Sequence, residues 1–330
     1  MSNTAAADFR PKLFSYHWLL VLLLCVVGAL NYLDRMMITT MRSSILEEIP
    51  MSDAQFGLLT SVFLWIYGLL SPAAGYLADR FSRSRVIIVS LIVWSVITWL
   101  TSRATTFEEL LITRALMGIS EACYIPAALA LIVDYHRGTT KSLATGLHIA
   151  GIYVGQSLGF TGAWLAEKNS WQYAFSVFGM IGIAYAVILL FVLKDAPKSA
   201  DHEEARKSAG TVSFMDAFRQ LFKSRAYVIA LAAWGLTGIA SWAINAWLPT
   251  YYKETFSLTQ TEAGIYATGY FFPAMLVGVL VGGAVADFWS RYNPNARILL
   301  PALSLALATP FVILGSSTSV LWLAGLCFMI

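Results

Sequence analysis

The chain has 330 residues, of which 58% are hydrophobic and only 12% charged, with a formal net charge of +3. A water-soluble domain carries roughly twice that share of charge, so a soluble globule is excluded. The three cysteines, Cys25, Cys123 and Cys327, all fall inside apolar runs, too scattered for a disulfide framework or a zinc site.

Apolar runs fall at about 17–41, 53–78, 86–102, 107–133, 142–165, 171–193, 226–250, 261–286, 297–315 and 319–330. About 20 apolar residues cross a bilayer as a helix, so nine of these runs are predicted to span. The tenth is about 12 residues long and is expected to be the start of a truncated helix. The first run is too long for a signal peptide and carries Asp34 and Arg35, which predicts a retained helix.

Four charges lie at membrane depth: Asp34 and Arg35 in the first run, Arg114 and Glu121 in the fourth. Such residues cost about 2.5–3.5 kcal/mol each on insertion scales and mark substrate or ion paths by default. Arg114 and Glu121 are two helical turns apart and share a face. Arg114 offers a planar fork matched to a carboxylate; Asp34 and Glu121 are candidate proton carriers, with Arg35 as a coupling partner. His148, in the fifth run, is a fourth titratable candidate.

The Lys and Arg residues set the orientation. With the N-terminus inside, sixteen fall on inner segments and four (Arg42, Arg103, Lys168, Lys253) on outer loops. The expected topology is a multi-pass protein of the plasma (bacterial inner) membrane with a cytoplasmic N-terminus.

The polar stretch 194–225 divides the chain into an N-terminal six-helix bundle (1–193), a cytoplasmic linker and an incomplete C-terminal bundle (226–330). Within the linker, the segment from Ser213 to Phe222 predicts an amphipathic helix at the headgroups. An internal repeat supports the division. Ser52-x-x-Gln55-x-Gly57 and Thr259-x-x-Glu262-x-Gly264 are matched capping boxes. The helices they open close on Gly75-x-x-x-Asp79 and Gly283-x-x-x-Asp287. Parallel six-helix repeats are a recognised transporter plan, with the site between halves.

The stretch from Gly75 to Arg85, containing Asp79-Arg80-Phe-Ser82-Arg83-Ser84-Arg85, resembles the loop 2–3 signature of the major facilitator superfamily, with Ser82 where Gly is usual. The resemblance implies an all-α polytopic fold and assigns Asp79, Arg80, Arg83, Arg85 and Asp287 to gating. Asn31-Tyr32-Leu33-Asp34-Arg35, with Arg114-x-x-x-Gly118-x-x-Glu121-Ala122-x-Tyr124-x-Pro126, is similar to both the organic anion:cation symporters and the spinster-like transporters. Trp247-Leu-Pro249-Thr-Tyr251 looks more like the symporters. Gly151-x-x-x-Gly155-Gln156-x-x-Gly159 lets a neighbouring helix approach closely and resembles the antiporter motif, with Gln156 replacing its Pro.

These resemblances imply secondary transport of a small organic anion such as a sugar acid with a proton (or sodium), or, as the alternative, transport of a lysolipid or other amphiphile. Arg114 holds the anion in this reading. Asn31, Tyr32, Tyr124, Gln156, Trp242 and Asn245 are further substrate contacts, and Tyr153, Trp247 and Tyr270 complete the pore aromatics. A monomer without cofactor, metal or nucleic acid is expected. Gly155-Gln-Ser157-Leu-Gly159 fits a hydrolase elbow only in spelling, because that motif needs a strand-turn-helix. The sequence holds no phosphate-binding loop, so an enzyme is not expected and any uphill transport is secondary.

Overall fold

The computed structural model describes residues 16–136, 140–196 and 214–330, except the side chains of Asp79 and of residues 214–218. The described residues contain helices and no strand. Eight helical segments are long and apolar enough to cross a membrane, and the protein is an all-α, multi-pass membrane protein.

The first crossing is α1 (Tyr16–Thr40), followed by the short α2 (Arg42–Glu48). The predicted capping box starts α3 (Asp53–Arg80): Ser52 accepts from the Gln55 amide at 3.3 Å, and the Gln55 side chain accepts from the Ser52 amide at 2.9 Å. Ser82 then caps α4 (Arg83–Thr101), which accounts for a serine where the family signature has glycine: its hydroxyl accepts from the Arg85 amide at 3.4 Å. Asp195, just after the sixth crossing, adds a second cap by accepting from the Ser84 amide at 2.8 Å.

The fourth crossing is broken into α5 (Phe107–Glu121) and α6 (Tyr124–Tyr135). Pro126, third in α6, has no N–H to give the Ala122 carbonyl and its ring crowds that oxygen. Glu121 is therefore the last residue before a break. The fifth crossing is also in two pieces, α7 (Lys141–Ser157) and α8 (Phe160–Lys168), so neither piece alone is long enough to span. Between them run tighter i→i+3 bonds, Gly159 to Gln156 at 3.0 Å and Thr161 to Leu158 at 2.9 Å.

Helix α9 (Trp171–Val192) completes the first six crossings. Two larger apolar cores hold them together, one around Leu24, Trp94, Tyr124 and Leu131, the other around Met37, Phe56, Leu110 and Trp171, with a small cluster of Phe63, Ile97 and Met117 beside them. Small residues let α1 and α7 meet backbone to backbone. A Cβ on Gly155 would lie 2.1 Å from the Ala29 carbonyl oxygen, and one on Gly151 2.8 Å from Cys25.

Ser213 lies outside the described residues, as do Arg10, Lys12, Arg137, Lys198, Arg206 and Lys207 of the charge count. A helix stands where the amphipathic one is predicted, α10 (Phe214–Lys223). Then come α11 (Arg225–Phe256), α12 (Gln260–Gly264) with its Thr259–Glu262 capping box, and a π-helical turn, Ile265–Tyr270. The turn leads into α13 (Phe271–Trp289), whose third residue is Pro273, the same placement as Pro126 after the break in the fourth crossing. Helices α14 (Ala296–Ser317) and α15 (Leu321–Met329) follow. A further core, around Leu248, Tyr252, Ala267 and Ala324, joins α11, the π turn and α15.

Candidate functional site

Neighbours on a helix point about 100° apart, and Asp34 and Arg35 diverge accordingly. Asp34 turns to α4 and accepts from the Thr98 hydroxyl at 3.0 Å. Arg35 turns to the break in the fourth crossing, where its Nε donates to Glu121 Oε2 at 2.7 Å. One turn back on α1, Asn31 Oδ1 accepts from Arg35 Nη2 at 3.0 Å. The guanidinium is packed among rings, 4.3 Å from the centroid of Tyr32, 4.7 Å from Tyr67 and 4.8 Å from Phe63. The ion pair is thus Arg35–Glu121; Asp34 is not Arg35's partner, because their side chains leave the helix on different faces.

Arg114 is 2% exposed and forms no ion pair among the described residues. Its Nε donates weakly to the Leu59 carbonyl at 3.4 Å, and its guanidinium lies 4.9 Å from the Phe63 ring. Sharing a face with Glu121 does not bring the two together: Glu121 is engaged by Arg35, and Arg114 is left facing a cavity.

That cavity, of about 280 Å³, lies between α1, α3, α5 and α11. Its polar edge is Arg35, Arg114, Thr39, Thr60, Ser61 and Asn245; its apolar wall includes Met36, Phe63, Leu64, Ile239, Trp242 and Trp247. Pro249 in α11 cannot donate to the carbonyl of Asn245 four residues earlier, and the Asn245 side-chain oxygen is buried without a partner. The cavity therefore combines one cation paired with a carboxylate, one cation with no ion pair among the described residues, and indole surface. Buried charges are usually paired, and a planar guanidinium matches the geometry of a carboxylate or phosphate.

The predicted contacts divide. Arg35, Arg114, Trp242, Asn245 and Trp247 line the cavity, and Asn31 and Tyr32 support it through Arg35. Tyr124 is elsewhere: its hydroxyl donates to the Leu24 carbonyl at 2.8 Å inside the first core. His148 packs edge-on against Tyr124, centroids 5.9 Å apart, and Gln156 is buried beside α1; neither lines the cavity.

Among the candidate gating residues, Arg83 is paired with Asp134 and donates to the Ala130 carbonyl at 2.9 Å. Arg80 lies 5.1 Å from the Tyr76 ring, and Asp287 pairs with Arg297 at 3.0 Å on the surface. Arg85 is exposed, and the Asp79 side chain lies outside the described residues.

Sequence reasoning missed the contacts at the opposite end of the bundle. Arg42 pairs with Asp53 and, at 3.3 Å, with Glu254 of α11; its guanidinium lies 5.4 Å from Phe56 and 5.5 Å from Trp247. Gln260 accepts from the Ser44 amide at 3.0 Å, and Glu167 accepts from the Thr261 amide at 3.0 Å. The amide of Phe160, freed by the break in the fifth crossing, donates to Thr268 in the π turn at 3.0 Å. A lone outer-loop arginine and a glutamine inside a capping box were the available signals.

Residues 24–330 match the Major Facilitator Superfamily. The chain is 26% identical to protein spinster homolog 1 of Xenopus tropicalis over 90% of this chain and 59% of that protein. It is 30% identical to the sphingosine-1-phosphate transporter SPNS2 of the same frog over 69% of this chain and 44% of that protein. The chain thus spans about three-fifths of the length of spinster homolog 1. Among solved structures it is similar to a bacterial homolog of the human lysosomal transporter spinster in an inward-facing, unoccupied conformation. That likeness has 25% identity and a TM-score of 0.73, covering 96% of this chain and 72% of that one.

Proposed function

The chain belongs to the major facilitator superfamily, and from that premise we propose that it forms most of a proton-coupled transporter for an amphiphilic organic anion. The observation that carries this reading is Arg114, a buried guanidinium with no acid partner among the described residues, on a cavity walled by Trp242, Trp247 and Phe63. The free cation suits a carboxylate or phosphate head, and the indoles suit an apolar body. The similarity to a sphingosine-1-phosphate transporter supports an amphiphile over the sugar acid that the Trp247–Tyr251 stretch favours.

In this mechanism two halves, 1–193 and 226–330 joined by the linker 194–225, rock around the cavity. Asp34 and Glu121 exchange the proton. When Glu121 is protonated its hold on Arg35 weakens, and a second guanidinium turns to the substrate. The N-terminus is cytoplasmic, in keeping with the distribution of Lys and Arg. Contacts between the halves at the Arg42 end correspond to a state open toward the inside. Asp79, Arg80, Arg83, Arg85 and Asp287 would then form the inner gate, closing in the opposite state. The protein transports and does no covalent chemistry.

The test is uptake by the full-length protein in liposomes, with a labelled lysophospholipid and a labelled hexuronate offered separately under an inward proton gradient. Gradient-dependent uptake of the lysolipid, lost in Arg114→Gln, is the expected result. Because Arg114 forms no ion pair among the described residues, the same variant is expected to lose less stability than Glu121→Ala, which breaks the Arg35 pair. Uptake of hexuronate alone moves the reading to a sugar-acid symporter, and gradient-independent movement of both removes the proton coupling.

A further inference from the structure

A second cavity, of about 390 Å³, shares no residue with the first. It is a groove between α3 and α4 whose floor is the broken fourth crossing. Leu77 and Phe81 come from the end of α3, Val86, Val89 and Val93 from α4, and Ser120 and Cys123 from either side of Glu121. Its walls face outward: Phe81 is 61% exposed and Val89 58%, both on segments that cross the membrane or end at its surface. Arg85 lines its mouth and is exposed. Asp195, at the same mouth, is taken up by the Ser82 hydroxyl and the Ser84 amide, and Arg85 forms no ion pair among the described residues.

We propose that this groove is a binding site for an anionic phospholipid, with the phosphate on Arg85 and one acyl chain along Val89 and Val93 to the Ser120–Cys123 floor. The dimensions fit a single leaflet. From Arg85 to Val93 is eight residues, about 12 Å of helix, against about 15 Å for half of the hydrocarbon core. Residues 85, 89 and 93 recur at i+4 and form one stripe. The chemistry changes along it as it does along a lipid: a cation at the membrane surface, valines below, and a floor with little polar surface because the Ser90 hydroxyl is already spent on the Ser120 carbonyl. The inner leaflet is anionic, and the proposed orientation places Arg85 there. The site is separate from the transport cavity, but its floor flanks Glu121, so an occupied groove supports the break that presents that carboxylate.

The experiment is native mass spectrometry of the purified full-length protein titrated with phosphatidylglycerol and phosphatidylcholine of identical chains. Wild type is expected to retain phosphatidylglycerol about fivefold more tightly, the effect of one basic residue at an anionic surface. Arg85→Gln abolishes that preference and Arg85→Lys keeps it. Val89→Trp, an exposed position whose enlargement fills the groove without touching the core, reduces retention of both lipids. Arg103→Gln, at the other membrane face, changes nothing. Equal retention of the two lipids by wild type, an undiminished preference in Arg85→Gln, or full retention in Val89→Trp each overturns the proposal. A second readout uses Cys123 as the only thiol, after every other cysteine of the full-length protein, Cys25 and Cys327 among them, is replaced by serine. Phosphatidylglycerol slows its alkylation by N-ethylmaleimide in the otherwise wild-type groove and not in Val89→Trp; equal rates in both also overturn it.

Discussion

Glu121 is fully buried, and its Oε2 accepts from Arg35 at 2.7 Å. Removing one partner of a buried ion pair leaves the other charge stranded and costs about 3–5 kcal/mol. Glu121→Ala is therefore expected to destabilise by that amount in thermal or denaturant unfolding, and Glu121→Gln, which can still accept from Arg35, by less. Replacing both groups with apolar residues of similar size, Arg35→Met with Glu121→Leu, is expected to recover much of the stability, since a buried pair is seldom better than well-packed hydrocarbon. A double variant as unstable as Glu121→Ala would mean that the rings of Tyr32, Phe63 and Tyr67 hold Arg35 for reasons beyond its partner. The individual charges were plain in the sequence, because any ionisable residue inside a long apolar run is conspicuous. Their pairing was not. Spacing along one helix says which side chains share a face, but Glu121 meets Arg35 across two helices 86 residues apart in sequence, and that distance is set by tertiary packing alone.

At the scale of the helix, α1 and α7 meet backbone to backbone at Gly155. A methyl group on Gly155 would overlap the backbone of Ala29 at 2.1 Å, and backbone cannot turn aside as a side chain can. Gly155→Ala is expected to force the helices apart at a cost of about 3 kcal/mol, the upper part of the range for overpacking. Gly146 lies on the same helix with no atom within 4 Å of its would-be Cβ. Gly146→Ala should therefore stabilise by roughly 0.5–1 kcal/mol through helix propensity, and the two melting temperatures compared side by side separate packing from propensity. The small-residue stripe was legible beforehand, since few other reasons put glycine at 151, 155 and 159 of an apolar helix. The irregular turns were half legible. Pro126 announces a break in the fourth crossing, whereas nothing local in 157–161 announces the tighter turn of the fifth. That turn exists because a partner waits for the freed amide: Phe160 donates to Thr268, itself in the π turn of a helix 108 residues on. Thr268→Val keeps the shape and removes the acceptor. It leaves one part-buried amide unsatisfied, for an expected loss of about 1 kcal/mol, the lower end for an unmade bond, with Thr268→Ser restoring it.

At the scale of the whole molecule, eight of the nine runs expected to span form segments long and apolar enough to cross, and both expected capping boxes form, because each is a property of a single segment. Which end of the bundle is shut is a property of two segments at once, and no run of residues carries it. The contacts joining the early helices to α11 and α12 gather at one end: Arg42 with Glu254, Ser44 with Gln260, Glu167 with Thr261. Arg42 is central to this group. Its side chain is 13% exposed, against 73% for Asp53 and 68% for Glu254, and it also faces the rings of Phe56 and Trp247. Each exposed pair alone is worth less than about 1 kcal/mol, but the two conformers of the proposed alternating-access cycle would differ by only a few kcal/mol. A loss of 1–2 kcal/mol at one end is then enough to change the populations five- to thirtyfold. Arg42→Gln should accordingly shift the full-length protein toward the state open at this end. The measurement is double electron–electron resonance between spin labels at Ser43 and Lys253, which flank the contact on the two sides. Arg42→Gln is expected to enlarge the long-distance population, and high salt to do the same to wild type but not to the variant, since salt screens only the charges that remain. An unchanged distance distribution would assign closure of this end to the buried Gln260 and Thr268 contacts instead, and Gln260→Ala would then be the variant that opens it.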